Sequence, residues 1–155
     1  CKNVAFLRAG SSMISEPNKR QAGFLNGCMM RGLHCETKII KEGESYDGFR
    51  EFLAEQMREG RMMVEGIFCM TDGLAHFVMQ ILEELGLKVP KDIQVIGFDG
   101  VSIFGDGSYI CSTIVQPVRE IAQMCVELLL RDEQAAKPPL ILLPVTYASG
   151  GTTQE

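Results

Sequence analysis

The strongest constraint on the fold is the stretch from Gly66 to Asp99. Residues 66–70 (GIFCM) form an apolar run that is too short for a helix and is typical of a parallel strand buried on both faces. From position 74, apolar residues recur at the spacing of one helix face, at Leu74, Phe77, Val78, Ile81, Leu82 and Leu85. Gly86 ends this helix, and a second strand follows from Gln94 to Phe98. The stretch therefore predicts a complete βαβ unit.

Polar side chains follow both of these strands. Thr71 and Asp72 stop the first strand, and Asp99 marks the carboxyl end of the second. In open parallel sheets, ligands bind beyond the carboxyl ends of the strands, so all three residues are predicted to lie at a binding site. Capping of the following helix alone also accounts for Asp72, and a turn cap alone accounts for Asp99.

The remaining segments continue the alternation of strand and helix. Apolar runs and amphipathic spacing predict strands at 4–9, 36–41, 111–115 and 140–147, and helices at 15–31, 49–57 and 118–132. Ala22 and Gly23 are expected to let the first helix approach the sheet closely. Pro144 in the last strand indicates a sheet edge or a crossing between subdomains. The glycines at 105 and 107 lack the strand-to-helix context of a phosphate loop, so phosphate binding is not predicted there.

Composition excludes several classes of protein. The 155 residues are 46% hydrophobic and 23% charged, as in an ordinary globular domain, and the net charge of −5 without a basic cluster argues against nucleic-acid binding by this segment itself. No apolar run approaches the roughly 20 residues that cross a bilayer. The six cysteines show no C-x-x-C spacing, which favours reduced thiols in a cytoplasmic protein over disulfides or metal ligands. No metal site and no cofactor are predicted.

Catalysis is not predicted either. The only two imidazoles are those of His34 and His76, and neither has a cysteine or carboxylate beside it in a recognisable catalytic motif. A doubly wound hydrolase or dehydrogenase would need such a group, and the sequence offers no candidate.

The organising stretch also carries a family resemblance. A strand that ends in Thr71-Asp72, a helix, the run GLKVPKDIQVIGFD (86–99) and the later TIVQP (113–117) resemble the effector-binding core of the lactose-repressor (LacI/GalR) family of bacterial transcription regulators. The similarity extends from about residue 4 to residue 153. It implies an α/β fold, namely a parallel-sheet, periplasmic-binding-protein-like (type I) lobe with three Rossmann-like α/β/α layers.

The resemblance assigns ligand contacts to several residues. RQAGF (20–24) matches a family pattern that places its arginine at the effector pocket, which implies a ligand contact by Arg20; periodicity alone is equally consistent with a solvated surface arginine. A carboxylate such as Asp99 accepts hydrogen bonds from neighbouring sugar hydroxyls, and the fork of Arg20 donates to the same or adjacent oxygens. Thr71 stands where relatives commonly have asparagine. Gln116 would lie on the hinge side of the cleft.

Tyr46 is a further candidate contact, because many relatives place an aromatic that stacks on a sugar ring in this region. The loop from Gly43 to Gly48 is short beside theirs, so the stacking contact of Tyr46 stays open.

In family terms, residues 1–112 would form the second lobe of a clam-like domain. Residues 113–139 would supply a crossover strand and a first-lobe helix, and residues 140–155 a returning strand and the C-terminal tail. Contact with DNA is then expected only through an N-terminal helix-turn-helix domain that is absent from this sequence. A homodimer in the cytoplasm, without membrane contact, is also implied, with Ala75 and Met79 offering a surface for association. The tail from Ala148 to Thr153 departs from the family pattern, which leaves its docking open.

The predicted function is binding of a small effector, a sugar or sugar derivative, by a regulator whose lobe closure biases its affinity for DNA. The alternative is a periplasmic or lipid-anchored sugar-binding protein for transport or chemotaxis, which shares the clam-like fold. The DIQVIGFD and TIVQP segments favour the regulator.

Overall fold

A computed structural model describes residues 1–10, 15–41, 43–59, 61–102, 107–130 and 140–154. Strands and helices alternate along the chain: β1 (Asn3–Ala9), α1 (Ser15–Met30), β2 (His34–Ile40), α2 (Asp47–Glu55), β3 (Met57–Arg58), β4 (Arg61–Met62), β5 (Gly66–Cys69), α3 (Asp72–Glu84), β6 (Gln94–Asp99), β7 (Ser112–Val115), α4 (Val118–Leu129) and β8 (Thr146–Ala148). The loop glycine at 105, the helix end at 131–132 and the loop 135–139 lie outside the described residues.

Six strands form one sheet in the order β2-β1-β5-β6-β7-β8. All neighbours are parallel except β7 and β8, which are antiparallel. The predicted βαβ unit is confirmed, since β5 and β6 are adjacent parallel strands joined by α3. The carboxyl ends of β1, β5, β6 and β7 consequently meet at one edge of the sheet, which we call the carboxyl edge.

One face of the sheet is covered by α2 and α3. Five apolar side chains of α3 are almost fully buried, namely Leu74, Ala75, Val78, Ile81 and Leu82. They pack on Ala5, Leu7, Ile67 and Val95, alternate residues of three strands that share this face. Full burial of one large aliphatic side chain stabilises the fold by about 1.5–3 kcal/mol, so this layer dominates the core. Ala75, expected to offer an outer surface, is buried, and that expectation is wrong.

The opposite face carries α1. Phe24 of α1 packs on Phe6 and Phe68, with ring centroids 5.8 and 5.3 Å away. Phe6 and Phe68 are register partners on β1 and β5, which explains why one helical side chain reaches both. Ala22 and Gly23 are exposed instead of lying on the sheet, so the expected close approach there is wrong. The three-layer α/β/α arrangement itself is confirmed.

Two departures from the predicted elements concern short strands. Met57–Arg58 and Arg61–Met62 pair as a small antiparallel hairpin, which the sequence pattern did not indicate. The predicted final strand, 140–147, is confirmed only at Thr146 and Tyr147. The strand extends to Ala148, and residues 140–145 have no regular structure. β8 is an edge strand, as the proline before it suggested.

The C-terminal tail docks across the beginnings of β6 and β7. The Thr152 hydroxyl donates to the Val95 carbonyl (2.6 Å) and accepts from the Ser112 amide (2.8 Å). Gly150 runs so close to the backbone of Cys111 that a Cβ would overlap it. The tail therefore needs a glycine at position 150 and a hydroxyl two residues later, at Thr152.

The helix α4 differs from the other three, because none of its residues is buried. With residues 140–145 it forms an apolar groove of about 420 Å³, lined on the helix by Ile121, Met124, Cys125 and Leu128. Leu129 and Leu130 point further out and are 84% and 81% exposed.

Candidate functional site

The carboxyl edge brings most of the predicted contacts together. Arg20 reaches it from α1, Asp99 ends β6, and Gln116 directly follows β7. These three side chains form one cluster, which we call the Arg20 cluster. Thr71 and Tyr46 line a neighbouring cavity, whereas Asp72 is buried beneath the edge.

Three contacts hold the Arg20 guanidinium in place. Its Nη1 donates to the carbonyl of Met70 (3.0 Å) and lies 3.8 Å from Asp99 Oδ1. Its Cζ sits 3.8 Å from the ring centroid of Phe98, a cation–π contact. The side chain is 23% exposed, so the guanidinium is oriented by the protein and still open to a ligand on one side.

Phe98 was not predicted as part of the site. Strand alternation places its side chain on the face opposite Gly97 and Asp99, where α1 lies. The sequence does hold a signal for this contact. Phe98 lies one residue before Asp99, so an arginine that reaches Asp99 also passes the Phe98 side chain. The aromatic ring supplies a flat support for the guanidinium, which fixes the plane of its donor fork.

The Asp99 carboxylate is half-buried. Gln116 Nε2 donates to its Oδ1 (2.8 Å), and 31% of the side chain is exposed. Burial raises the pKa of Asp99 above its ordinary value, and the nearby Arg20 and the hydrogen bond from Gln116 offset part of that rise. The second oxygen, Oδ2, has no hydrogen bond within the described part of the chain and can accept from a ligand hydroxyl.

Asp99 also has an unusual backbone. Its φ of +128° lies in a region that non-glycine residues rarely adopt, and such conformations cost about 1–3 kcal/mol. Gly100 follows with φ +81°, and a Cβ there would press on Val115 of β7. The chain therefore turns sharply at the end of β6, and the turn aims the Asp99 carboxylate toward Arg20 and Gln116.

Asp72 has a different environment from the other predicted contacts. It is completely buried, and its carboxylate accepts hydrogen bonds from the amides of Gly100 and Val101 and from the hydroxyl of Thr113. The Cys111 thiol lies 3.6 Å from its Oδ1. Protein groups thus occupy both oxygens, and in this arrangement Asp72 has no access to a ligand.

Thr71 and Tyr46 line a cavity of about 360 Å³ at the carboxyl ends of β1 and β5, with Ala9, Gly10, Met70, Gly73 and Leu74. Thr71 Oγ1 accepts from the Leu74 amide (3.2 Å), so it caps α3 and keeps its hydrogen for donation. The Tyr46 ring packs against Phe49 and Phe77 and is 48% exposed. Met70 joins this cavity to the Arg20 cluster, because its carbonyl accepts from Arg20.

Groups for other chemistry are not assembled in the described residues. All six cysteines are free thiols, and no set of three potential metal ligands converges among the residues that the structure describes. Burial raises the pKa of Cys111 to about 12 and holds that of Cys69 well above its usual value, so both thiols are poor nucleophiles. None of the described helices is both long and apolar enough to span a membrane.

Comparison with known proteins points to one family. The profile of the periplasmic-binding-protein-like domain matches residues 1–153. The sucrose operon repressor of Pediococcus pentosaceus is 34% identical over 91 residues, which is 57% of this chain and 28% of the repressor.

Two solved structures share the fold along nearly the whole chain. A periplasmic binding protein/LacI transcriptional regulator from Alkaliphilus metalliredigens, complexed with D-xylulofuranose, has a TM-score of 0.75 and 25% identity over 100% of this chain and 58% of its own. The lac repressor dimer bound to operator and the anti-inducer ONPF has a TM-score of 0.74 and 26% identity over 98% of this chain and 52% of its own. The chain thus spans little more than half of each solved relative.

Proposed function

The chain belongs to the family of periplasmic-binding-protein-like domains and is of the LacI/GalR type, and we propose that it is an effector-binding region of a bacterial transcriptional regulator. The observation that carries the proposal is the Arg20 cluster beside the cavity of Tyr46 and Thr71, at the edge where parallel sheets bind ligands. The relatives are transcriptional regulators, and we propose no catalysed reaction for this chain.

The chemistry of the cluster favours a neutral polyhydroxyl ligand. Arg20 brings one positive charge and Asp99 one negative charge, 3.8 Å apart, so a phosphate attracted by the first would be repelled by the second. Asp99 accepts from hydroxyls, Arg20 donates to their oxygens, and Gln116 can do both. We therefore propose a sugar or sugar derivative as effector. The relative from A. metalliredigens, solved with D-xylulofuranose, supports this class.

We further propose that the chain is the second lobe of a two-lobed domain. Residues 1–112 with the strands β7 and β8 form this lobe. The helix of the segment 113–139 packs on a first lobe outside this sequence, and residues 140–155 lead back. The lack of any buried residue in α4 supports this assignment, as does the share of the solved relatives that the chain leaves uncovered.

Lobe closure over a sugar would then change the affinity of an attached DNA-binding domain. We propose a cytoplasmic homodimer, in line with the operator-bound dimer of the lac repressor. The periplasmic transport alternative is not favoured, because the repressors carry the similarity.

Calorimetric titration of the intact protein with a panel of neutral mono- and disaccharides, their phosphates and purine bases tests the proposal. We expect saturable binding of at least one neutral sugar. Arg20→Ala and Asp99→Ala should each weaken it by about 1.5–3 kcal/mol, the loss of a hydrogen bond with a charged partner, which is roughly ten- to hundredfold in affinity.

Arg50→Ala is the matched control, because Arg50 is an exposed arginine that pairs with Glu84 away from the carboxyl edge. This variant should bind as the wild type does. Equal affinity of the wild type, Arg20→Ala and Asp99→Ala for the bound sugar would remove the Arg20 cluster as the site, and binding of phosphates or purines alone would remove the sugar assignment.

A further inference from the structure

The buried carboxylate of Asp72 has no role in the proposed ligand contacts, and its hydrogen bonds show a different use. Its Oδ2 accepts from the amides of Gly100 (2.9 Å) and Val101 (2.6 Å), the two residues that directly follow Asp99. Its Oδ1 accepts from the Thr113 hydroxyl (2.6 Å) on β7, three residues before Gln116. The carboxylate is therefore tied to the segments that carry two members of the Arg20 cluster.

The surrounding residues leave a space shaped for this carboxylate. Gly97 lies in the middle of β6, and a Cβ at that position would overlap Asp72 Oδ1 and crowd the Cys111 thiol. Gly97 and Thr113 are register partners on adjacent strands, so the glycine opens a pocket directly beside the threonine hydroxyl. An aliphatic residue in place of Gly97 would exclude the carboxylate from this pocket.

Helix capping does not account for Asp72. Thr71 is the N-cap of α3, and its side chain already accepts from the Leu74 amide. The Asp72 carboxylate instead accepts from the β6–β7 segment and from β7, with partners 28 to 41 residues away along the chain. These long-range bonds hold a turn whose first residue, Asp99, has the strained φ of +128°.

We propose that Asp72 is a positioning residue for the binding site: it holds Asp99 in its positive-φ conformation and keeps Asp99 within reach of Gln116. The two amide bonds fix the peptide planes just after Asp99, where a relaxed chain would return to extended geometry. The bond to Thr113 fixes β7 against the same carboxylate, which sets the distance between the end of β6 and Gln116. This inference rests on the proposed function only in assigning ligand contact to Asp99.

Nuclear magnetic resonance on the ¹⁵N-labelled full chain tests the proposal without any ligand. In the wild type, the three-bond HN–Hα coupling of Asp99 should be small, as a φ near +128° requires, and the Gly100 and Val101 amide protons should resonate downfield because a carboxylate accepts from them. In Asp72→Ala, which removes both carboxylate oxygens, the coupling should rise toward strand values, and the side-chain amide of Gln116, which Asp72 does not touch, should lose its hydrogen-bonded shift.

Asp92→Ala is the matched control. The Asp92 carboxylate also accepts a backbone amide, from Lys88 (2.9 Å), but it is exposed and belongs to the loop before β6. This variant should leave Asp99 and Gln116 unchanged. If Asp72→Ala does not fold, Thr113→Val removes, with little change in shape, the hydroxyl that donates to the Asp72 carboxylate and also accepts from the Gly100 amide (3.3 Å). The same two signals should then move in the same direction.

The proposal is overturned if the Asp99 coupling and the Gln116 side-chain signal stay at wild-type values in a folded Asp72→Ala or in Thr113→Val. A large Asp99 coupling in the wild type would overturn it as well. Because no ligand is present, these outcomes are independent of whether the protein binds a sugar.

Discussion

The helices α3 and α4 have similar amphipathic sequences and opposite surroundings. In α3, Val78 and Leu82 are fully buried between the sheet and α2. In α4, Ile121, Met124 and Leu128 also lie on one side of the helix, yet no residue of the helix is buried. An apolar stripe thus indicates that a helix packs against another apolar surface. It does not indicate whether that surface belongs to the same lobe.

The two helices also begin differently. The first turn of α3 is capped by the Thr71 hydroxyl and lies between strands that pair with each other. The first turn of α4 follows Pro117 and has no side-chain cap. In α3, the N-terminal cap and the buried apolar face both stabilise the helix. In α4 the cap is missing and the apolar face is exposed, as is expected of a helix that packs against a part of the protein outside this sequence.

The largest expected difference between the helices is in the free energy of unfolding that is lost when one leucine of each helix is replaced by alanine. Leu82→Ala should lower the free energy of unfolding by about 2–5 kcal/mol, because a fully buried leucine leaves a cavity. Leu129→Ala should change it by less than about 0.5 kcal/mol, because that side chain is 84% exposed. Urea denaturation of the chain measures both. Equal destabilisation would show that α4 packs on its own lobe and that the lobe assignment is wrong.

The second prediction concerns association through the exposed face of α4. An unpartnered apolar face favours contact between copies, and each large side chain left in water forgoes about 1.5–3 kcal/mol. The wild-type chain should therefore associate with rising concentration in sedimentation equilibrium, and Leu129→Lys should weaken that association.

Met29→Lys is the control for this experiment, because Met29 is a similarly exposed apolar residue (74%) on α1. Its association should match that of the wild type. A wild-type chain that stays monomeric at every concentration would contradict the prediction. If both lysine variants weakened association equally, the association would be nonspecific hydrophobic contact rather than contact through α4.

The sequence predicted the parallel sheet and its main helices because periodicity and turn residues are local signals. Gly66 to Asp99 has the apolar strand, the capped amphipathic helix and the terminating glycine that specify βαβ. The hairpin at 57–62 was missed because its strands are two residues long. The final strand was predicted too long, since LILLPV has the composition of a strand but lies in irregular chain beside α4.

The site was predictable to the level of which residues meet at an edge. Arg20, Asp99 and Gln116 meet at the carboxyl edge, and Thr71 and Tyr46 share a cavity, while contact of these residues with a ligand stays a prediction. The burial of Asp72 was not predictable in the same way, because it depends on the space that Gly97 leaves on a neighbouring strand. The contact between Asp72 and Gly97 forms only in the folded structure. The sequence shows that both residues are present but not that they lie side by side.

The third prediction is smaller and tests the difference between the helix starts. Thr71→Ala removes the cap of α3 and should lower the free energy of unfolding by about 0.5–2 kcal/mol. Pro117→Ala removes no side-chain cap and should cost at most the roughly 0.4–1 kcal/mol by which a proline restricts the unfolded chain. Chemical denaturation measures both. Thr71→Ser, which keeps the hydroxyl, should recover most of the loss; failure to do so would mean that the Thr71 methyl group, rather than the cap, stabilises α3.

The smallest expected effect lies at the joint between the two regions, where Gln116, just before α4, donates to Asp99 at the end of β6. Burial raises the pKa of Asp99 in the folded state above its ordinary 3.8, so the folded protein binds this proton more readily than the unfolded chain does. Stability should then fall as pH rises from 3.8 through the raised pKa, and stay level above it.

Asp99→Asn removes this titration while keeping an oxygen for Gln116. At pH 7 the variant should be more stable than the wild type, by less than about 1 kcal/mol because the carboxylate is partly solvated. The difference should shrink as the pH falls through the raised pKa and disappear below 3.8, where the wild-type carboxyl is mostly protonated in both states. Thermal unfolding of both proteins across pH 3–7 measures it. If the wild type instead gained stability over the variant with rising pH, Arg20 and Gln116 would lower the pKa of Asp99 by more than burial raises it. The Asp99 carboxylate would then be stabilised by these two partners and less available to a ligand.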